Sequence, residues 1–344
     1  MSTPRTTADV FVLNRGLVGP EAYSPEWYAL RVYDPEVSRD PPFVLGASVA
    51  GVICGLSKYS TPLQLYHEMR GNVEISAQSE RMYWGKQLEP VVLDEFEKRH
   101  EVTTNRVQRL YLDPTQTYIG ATPDALYVDD GELISVDAKC TTSRMYRTYE
   151  ADLHDCFGPG EDEVPSDYVM QAQQQMLVTG AVRCDLPVLF DGNHMRIYSV
   201  GRNDELIAQL RGRLEKFYAA VLEGQEPEVD WEHDTTVSLM KNLYGIDEEL
   251  AVDMAPEELQ WYEQWVEARD DIKEATARKD EAQARLLHAM RESHVMHIPE
   301  HNVSLVRSQT PDSLWTEVDV VKAQNSLGSV KRRGFVRLTQ RKDK

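Results

Sequence analysis

Residues 120–139 read Gly120-Ala-Thr-Pro-Asp124-Ala-Leu-Tyr-Val-Asp-Asp130-Gly131-Glu132-Leu-Ile-Ser-Val-Asp137-Ala-Lys139. The prediction of the fold starts from these residues. The pattern predicts a β-strand over 125–129, a tight Asp-Gly turn and a second strand over 132–139. Alternation along the second strand places Asp137 and Lys139 on one face. Asp124 lies in a proline-bent segment just before the first strand, so the folded hairpin is expected to bring its carboxylate beside that of Asp137.

Two carboxylates a few ångströms apart suit Mg²⁺ or Mn²⁺, which bind through one or two carboxylates and keep water for a substrate phosphate and a nucleophile. A lysine two residues further on can orient or help deprotonate that water and neutralise charge on the phosphate. An Asp-x-Lys triplet also arises by chance about once in a chain of this length. The triplet therefore gains weight only from the Pro-Asp turn at hairpin distance.

Two helices flank the hairpin. One long helix over 79–101, kinked at Pro90, carries Glu89 among its apolar positions, either as an edge residue or as a third carboxylate facing the metals. A second helix begins near Ser166 or Asp167, one of which is expected to cap it. It carries four glutamines, Gln171 and 173–175, of which one or two amides are expected to point inward.

The remaining elements complete an α-β-β-β-α-β order. The predicted segments are strands over 107–112, 186–190 and 195–200 and a helix over 204–222. We therefore expect an α/β fold, an α+β layer arrangement with a mixed sheet.

Several motifs resemble, in order, those of the YqaJ-like viral recombinase and bacteriophage lambda-type exonuclease group of the PD-(D/E)XK nuclease superfamily. They are Trp27-Tyr-Ala-Leu-Arg31 with Gly46-Ala-Ser48, Gly55-Leu-Ser-Lys-Tyr-Ser-Thr-Pro62-Leu, Trp84-Gly85-Lys-Gln-Leu-Glu89-Pro90, Asp124 with Asp137-Ala-Lys139, and Gln171-Ala-Gln173. The resemblance spans about Trp27 to Lys241 and implies a restriction-endonuclease-like core flanked by helices.

The resemblance also implies roles for individual residues. Asp124, Asp137 and the Ala138 carbonyl would bind metal, two Mg²⁺ or Mn²⁺ ions per site, with Glu89 assisting. Lys139 would position the attacking water, with Gln171 and Gln173 on the neighbouring helix and Gln173 beside the lysine.

The resemblance implies, in addition, a pocket for the 5′-phosphate of a DNA end. Arg31, Ser48, Thr122 and Arg144 stand at the matching places, and a guanidinium with hydroxyls is a sound phosphate site. Alternatives remain open: Arg31 as a surface residue, Ser48 as the N-cap of a helix over 49–56, and Thr122 as a turn former.

Three features depart from the family pattern. Asp137 stands where glutamate is commoner, which shortens the side chain by one methylene and bears on metal preference. Arg144 lies one residue closer to the catalytic lysine than in lambda-type enzymes. The loop over 149–165 is longer and acidic, and it either gates the site or only decorates it.

The chain has 344 residues and a formal net charge of −20, so DNA binding requires basic residues segregated into one channel. No apolar run is long enough to span a membrane and residues 1–16 do not read as a signal peptide. We therefore expect a cytoplasmic location in a bacterial or phage-infected cell. Four scattered cysteines, without a Cys-x-x-Cys pair, argue against zinc or an iron–sulfur cluster.

Composition shifts near residue 245, which predicts a nuclease domain over 1–245 and a C-terminal extension over 246–344. A long helix over 256–291 repeats Trp265, Ile272, Lys279 and Leu286 every seven residues, with an alanine three positions after each. Such a seam packs on another helix, either within the chain or between subunits. Short strands over 303–306 and 318–321 follow. From Lys331 onward seven basic residues and one acidic residue give +6, against −26 for the first 330 residues, which indicates a DNA-contacting arm.

We expect a metal-dependent exonuclease that degrades linear duplex DNA from its 5′ ends and leaves 3′ single strands for phage-type recombination. The resemblance implies a ring-like homo-oligomer, a trimer, and a single-strand annealing partner. Two alternatives use the same fold: an endonuclease or spacer-processing nuclease, and a catalytically idle DNA-binding or assembly protein.

Overall fold

The computed structural model describes residues 16–73, 79–106, 108–146, 156–244, 251–301, 303–309, 313–314, 331–332 and 336–342. Residues 149–155 of the acidic loop and the strand predicted over 318–321 lie outside these ranges. The chain divides into two compact units, Met1–Ile246 and Asp247–Lys344, and each is described by itself. Within the described ranges, no helix is both long and apolar enough to cross a membrane.

The described part of the first unit contains both helices and strands. Its helices are α1 (Pro25–Ala29), α2 (Ala50–Ile53), α3 (Pro62–Met69), α4 (Glu80–His100), α5 (Ser166–Thr179), α6 (Asp204–Glu223) and α7 (Thr236–Leu243). Its strands are β1 (Leu17–Glu21), β2 (Leu45–Gly46), β3 (Arg109–Leu112), β4 (Ile119–Ala121), β5 (Ala125–Asp129), β6 (Glu132–Val136), β7 (Lys139–Thr141), β8 (Arg183–Phe190) and β9 (His194–Gly201).

The predicted hairpin is confirmed. β5 pairs antiparallel with β6 from Ala125 opposite Val136 to Asp129 opposite Glu132. Asp130 and Gly131 both have positive φ, 45° and 88°, which is the backbone of the tight turns that match the twist of a hairpin. β6 then runs parallel to β8, and β9 returns antiparallel to β8, so the sheet is mixed and the predicted α/β class is confirmed.

The second hairpin strand is interrupted, which the sequence did not predict. β6 pairs with the start of β8 and β7 with its end, so residues 137 and 138 lie between two ladders. The register places Ala138 opposite Pro187, which has no N–H to donate to a ladder. The strand therefore breaks where the Asp-Ala-Lys motif lies.

A second sheet has the strand order β1-β3-β4-β2. The sequence analysis did not predict it, because the strand expected over 107–112 was not assigned to a separate sheet. α5 contacts both sheets. The buried Gln174 amide on α5 donates to the carbonyls of Leu45, 2.7 Å, and Gly120, 2.8 Å, and so fixes β2 beside β4. A Cβ atom at Gly120 would lie 2.7 Å from the Val44 side chain, which explains why this position of β4 is a glycine.

Two predictions about α5 were wrong: the residue that caps its N-terminus and the number of its buried glutamines. Neither Ser166 nor Asp167 caps the helix, because the N-cap position is Pro165 and the Asp167 carboxylate instead accepts from the next N–H, that of Tyr168. Three glutamines, 173–175, are buried rather than one or two. They are tolerated because their amides bond to backbone or thiol groups of the two sheets.

An ion pair between Asp113, which follows β3, and Arg211 makes the stability of the first unit depend on pH in the acid range. Asp113 is 3 % exposed and accepts from Arg211 at 2.8 Å and from the backbone N–H groups of Thr115 and Gln116. Burial alone would raise the pKa of Asp113, but these donors lower it from 3.8 to about 2. A depressed carboxyl pKa stabilises the folded state above the unfolded value, and this stability is lost as pH falls from about 4 to about 2.

Asp113→Asn is therefore expected to lower the free energy of unfolding by about 2 kcal/mol at pH 7. The difference from the unchanged protein should shrink as the pH falls below 4. Urea unfolding between pH 7 and pH 3 measures both effects. Asp94→Asn removes a more exposed carboxylate that pairs with Arg106, and it serves as the control with little expected change. A constant difference across this pH range would contradict the assignment.

The second unit confirms the predicted long helix. A short 3-10 turn, Pro256–Glu258, leads into α8 (Leu259–Met290). The strands that follow are β10 (Val295–Ile298), β11 (Val303–Gln309), β12 (Ser313–Leu314), β13 (Lys331–Arg332) and β14 (Val336–Lys342). β11 pairs antiparallel with both β10 and β14, so the tail predicted as a basic arm contributes a strand to a sheet.

Candidate active site

One cavity of about 290 Å³ gathers residues from across the first unit. Its lining is Tyr23, Trp27, Arg31, Ala47, Ser48, Gly85, Glu89, Thr122, Asp124, Asp137, Ala138, Lys139, Cys140, Gln171 and Gln175. Part of this lining comes from the interrupted strand, and part comes from the segments around α1 and β2. Most of the residues predicted for the metal site and for the phosphate pocket therefore line a single space.

The strand interruption positions the carboxylates. The Ala138 N–H donates to Asp124 Oδ2 at 2.8 Å and so holds the first acid. The Asp137 N–H donates to the Asp185 carbonyl at 3.0 Å and fixes the second acid to β8. Glu89 on α4 accepts from Gln108 Nε2 at 2.5 Å.

The acids raise one another's proton affinity. Burial raises the pKa of Asp124 well above its ordinary value, and the charges of Asp137 and Glu89 raise it further. Burial also raises the pKa of Glu89, with Asp137 adding to the effect and the Gln108 hydrogen bond opposing it. Such mutual repulsion in a water-poor cavity creates a place where a cation is favoured.

Lys139 lies between the acids and α5. Its Nζ is 2.5 Å from Asp137 Oδ2 and donates to Gln171 Oε1 at 3.2 Å. Burial alone would lower the pKa of Lys139, but Asp137, followed by Tyr168 and Asp124, reverses this and raises it. The group is therefore an ammonium ion, which suits charge neutralisation and orientation of water better than removal of a proton.

The oxygen donors fit a hard divalent cation. Among the described residues, no set of three or more His, Cys, Asp or Glu side chains is arranged as a ready-made metal cluster. Mg²⁺ does not need one, because it is bound by one or two carboxylates and completes its shell with water and substrate phosphate. Asp124 and Asp137 supply such a pair, and the Ala138 main chain lies between them.

The segments around α1 and β2 add a cation, Arg31, to the cavity lining. Arg31 Nη2 donates to Ser48 Oγ at 2.9 Å, and the guanidinium lies 4.6 Å from the centre of the Trp27 ring. Trp27 Nε1 donates to Thr122 Oγ1 at 3.1 Å. Trp27 therefore connects Thr122 to Arg31, which is bonded to Ser48. A side chain at Gly46 would meet the Arg31 guanidinium at 2.8 Å, so this glycine keeps space for it.

The structure also decides between readings of Ser48. It lies inside a 3-10 turn, Ala47–Val49, and its side chain caps neither this turn nor α2. The alternative of a helix N-cap is therefore wrong, because the hydroxyl is already bonded to Arg31.

Two predicted residues lie elsewhere. Gln173 does not face Lys139: its amide donates to the Gly201 carbonyl at 2.8 Å and accepts from the Asn203 N–H at 2.9 Å. Residues two apart on a helix point in nearly opposite directions, so Gln171 and Gln173 cannot both face the cavity. Arg144 is exposed in the 3-10 turn Ser143–Met145 and does not line the cavity.

The sequence analysis missed Tyr23, Trp27 and Gln175 in the cavity wall. Gln175 follows Gln171 by one helical turn, so helical spacing pointed to it. Tyr23 carries no comparable signal, because it lies outside the motifs used. Burial, reinforced by Glu89 and Asp124, raises the pKa of Tyr23 to about 12, which leaves its hydroxyl able to donate.

Comparison with known proteins places this cavity in a known domain. Residues 26–182 match the model of the YqaJ-like viral recombinase domain. The uncharacterized protein YqaJ of Bacillus subtilis (strain 168) is 27 % identical over 267 residues, which cover 75 % of this chain and 80 % of that protein.

Solved structures give more distant matches. An alkaline exonuclease from Laribacter hongkongensis is 21 % identical, with a TM-score of 0.42 over 59 % of this chain and 94 % of that chain. A phage related exonuclease from Haemophilus somnus 129PT is 14 % identical, with a TM-score of 0.38 over 54 % and 97 % of the two chains. The matched region of this chain, which carries Arg31, Asp124, Asp137 and Lys139, is therefore similar to the YqaJ-like viral recombinase domain.

Proposed function

We propose that this protein is a metal-dependent DNA exonuclease that degrades linear duplex DNA from its 5′ ends and leaves 3′ single strands. The observation that carries the proposal is one cavity whose lining includes three acidic residues, a lysine, an arginine, a serine and a threonine. A carboxylate pair suits a metal, and an arginine suits a phosphate. A space that holds both suits the hydrolysis of a phosphodiester next to a terminal phosphate.

Asp124 and Asp137 would hold Mg²⁺ or Mn²⁺, two ions per site, with the Ala138 carbonyl and Glu89 as further oxygen donors. Bound there, such ions would make water more acidic and offset charge on the phosphate. The chain itself fixes the donors in advance, since the Ala138 N–H holds Asp124 and the Asp185 carbonyl holds the Asp137 backbone. Little reorganisation is then needed when the substrate arrives.

Lys139 would orient the attacking water and stabilise negative charge that grows on the phosphate. Gln171 Oε1 accepts from its ammonium and holds it in the cavity. The Tyr168 ring centre lies 5.1 Å from Nζ and closes one side. This arrangement assigns the lysine an electrostatic role, because its raised pKa keeps it charged.

Arg31, Ser48 and Thr122 would hold the 5′-phosphate of the strand being degraded. Water adds to the next phosphorus and the bond to the 3′ oxygen breaks, which releases a mononucleotide with a 3′-hydroxyl. The shortened strand then carries a new 5′-phosphate, so each turnover regenerates the group that Arg31 binds. The hydrogen-bond partner of Arg31 here is a hydroxyl rather than a carboxylate, which leaves its charge for the substrate.

The family description is that of a viral recombinase domain, and 3′ single strands are the form of DNA that strand annealing uses. We therefore extend the proposal to phage-type recombination, with an annealing protein as partner and a ring-shaped homo-oligomer around the product strand, in the cytoplasm of a bacterial or phage-infected cell.

Digestion of linear duplex with 5′-phosphate or 5′-hydroxyl ends, beside the matching closed circle, tests the proposal. Each substrate is incubated with Mg²⁺, with Mn²⁺ or with EDTA. Metal-dependent loss of the linear 5′-phosphorylated duplex, with the circle intact, is the expected result. Cleavage of the circle would indicate an endonuclease, and no cleavage of any substrate would indicate a binding protein.

Arg31→Ala is expected to reduce the preference for 5′-phosphorylated over 5′-hydroxyl ends by about tenfold, since a charged hydrogen bond to phosphate is lost. The ratio of initial digestion rates on the two substrates measures the preference. Arg269→Ala removes an exposed guanidinium of the second unit and should leave the ratio unchanged. An unchanged ratio in Arg31→Ala would exclude a role of Arg31 in binding the 5′-phosphate of the DNA end.

A further inference from the structure

The long helix α8 of the second unit exposes large apolar side chains. Trp261, Trp265 and Ile272 are 63 %, 60 % and 66 % exposed. Nearly every other side chain between residues 259 and 282 is also exposed. In proteins, most of the stability of a helix comes from packing of its apolar face. An exposed apolar face of this length therefore indicates a surface that binds a partner.

The exposed face follows a heptad repeat in which large and small residues alternate. Trp265, Ile272, Lys279 and Leu286 occupy one position of the repeat, and an alanine follows each of them by three residues, at 268, 275, 282 and 289. All four alanines are exposed, so the seam is open along its whole length. Residues at these two positions of a heptad pack against another helix.

The sizes of the seam residues favour one orientation of a second α8. In a parallel pair each seam residue faces its own copy, so tryptophan 265 would face tryptophan 265 and two ammonium groups would meet at position 279. In an antiparallel pair centred near residue 277, every larger residue faces an alanine of the partner subunit. The facing positions are 265 with 289, 272 with 282, 279 with 275 and 286 with 268.

The charge along α8 favours the same orientation. Residues 259–274 contain five acidic and two basic residues, net −3, whereas residues 275–290 contain two acidic and three basic residues, net +1. The antiparallel pair therefore places opposite charges together, and it brings Asp271 beside Arg285 of the partner subunit on both sides of the axis. Arg278 lies near its own copy at the axis, but the two pairs of opposite charge outnumber this repulsion.

We propose that α8 pairs in antiparallel orientation with α8 of a second copy of this chain, along residues 265–289, which is about 36 Å of helix. Such a pair has two-fold symmetry, so it is distinct from the head-to-tail contacts that close a ring. The inference does not depend on the proposed nuclease activity. It gives the second unit the role of joining two chains in one assembly.

Disulfide trapping of the full-length protein tests both the orientation and the register. Ile272→Cys and Ala282→Cys are oxidised mildly, each alone and mixed in equal amounts, and the joined peptides are identified by mass spectrometry because four native cysteines remain. The mixture should give at least about tenfold more disulfide through positions 272 and 282 than either variant alone. Two copies of position 272 would lie about 15 Å apart along the axis, and a disulfide requires Cα atoms within about 7 Å. Ala277→Cys, on the outer face of the heptad, is the control and should form little disulfide.

Charge reversal tests the same register without relying on the cysteine positions alone. Asp271→Arg in both chains should lower the yield of the disulfide between 272 and 282 about fivefold, and adding Arg285→Asp should restore it, because the pair is re-formed with its charges exchanged. Asp270→Arg reverses an exposed charge on the outer face and should leave the yield unchanged. A disulfide between two copies of position 272 would show a parallel pair, and the absence of any disulfide through 272 or 282 would show that this face does not bind a second copy. Either result would overturn the inference.

Discussion

Lys139→Ala is expected to lower the rate of duplex digestion by about a hundredfold to a thousandfold. The ammonium lies 2.5 Å from Asp137 and is held by Gln171, so it is fixed where charge would develop on a phosphate. Removing one such pre-positioned donor typically costs this much in rate. Single-turnover digestion of 5′-phosphorylated linear duplex, with protein in excess, measures the chemical step without product release.

Lys98→Ala provides the control for this change, because Lys98 is a lysine on α4 with 79 % side-chain exposure. Its digestion rate should equal that of the unchanged protein. The thermal midpoint of Lys139→Ala must be measured with Mg²⁺ present, since the alanine leaves the Asp137 carboxylate without its cation. A folded Lys139→Ala protein with full activity would remove Lys139 from the mechanism.

Local patterns predicted the hairpin because each of its determinants lies within a few residues. Alternating apolar residues set β5 and β6, and Asp130-Gly131 supplies the positive φ angles that the turn requires. The helix over 79–101 was predicted for the same reason, with Ser79 capping it through the Met82 N–H. Propensity and capping act within a few residues, so they can be recognised in the sequence without knowledge of distant contacts.

The interruption after Val136 could not be predicted locally, because its cause is Pro187, about fifty residues further along the chain. Only the register of the parallel pair reveals that this proline faces Ala138. The same limit applies to Arg144, which the family resemblance suggested for the pocket but which is exposed in a 3-10 turn. In contrast, helical geometry alone shows that Gln171 and Gln173 cannot both face the cavity.

Asp124→Asn is expected to lower duplex digestion by at least about a thousandfold and, without metal, to raise the thermal midpoint of the first unit. Metal stabilises the transition state by several kcal/mol, and Asn is a poor replacement for a charged ligand. The stability effect has the opposite sign because burial, then Asp137 and Glu89, raise the pKa of Asp124 in the folded state. A raised carboxyl pKa means that folding is weakened as pH rises above the unfolded value, and the amide removes that penalty.

The two halves of this prediction separate a metal ligand from a merely structural acid. Mg²⁺ should raise the thermal midpoint of the unchanged protein, since a ligand that binds only the folded state stabilises it, and should raise that of Asp124→Asn much less. Asp129→Asn, at the far end of β5 and half exposed, should respond to Mg²⁺ like the unchanged protein. If Asp124→Asn were inactive but destabilised, with an undiminished response to Mg²⁺, Asp124 would be a structural residue. If Asp124→Asn is inactive, more stable without metal and only weakly stabilised by Mg²⁺, Asp124 is a metal ligand. A metal-binding carboxylate lowers the stability of the folded protein while the ion is absent, and it is required for activity when the ion is bound.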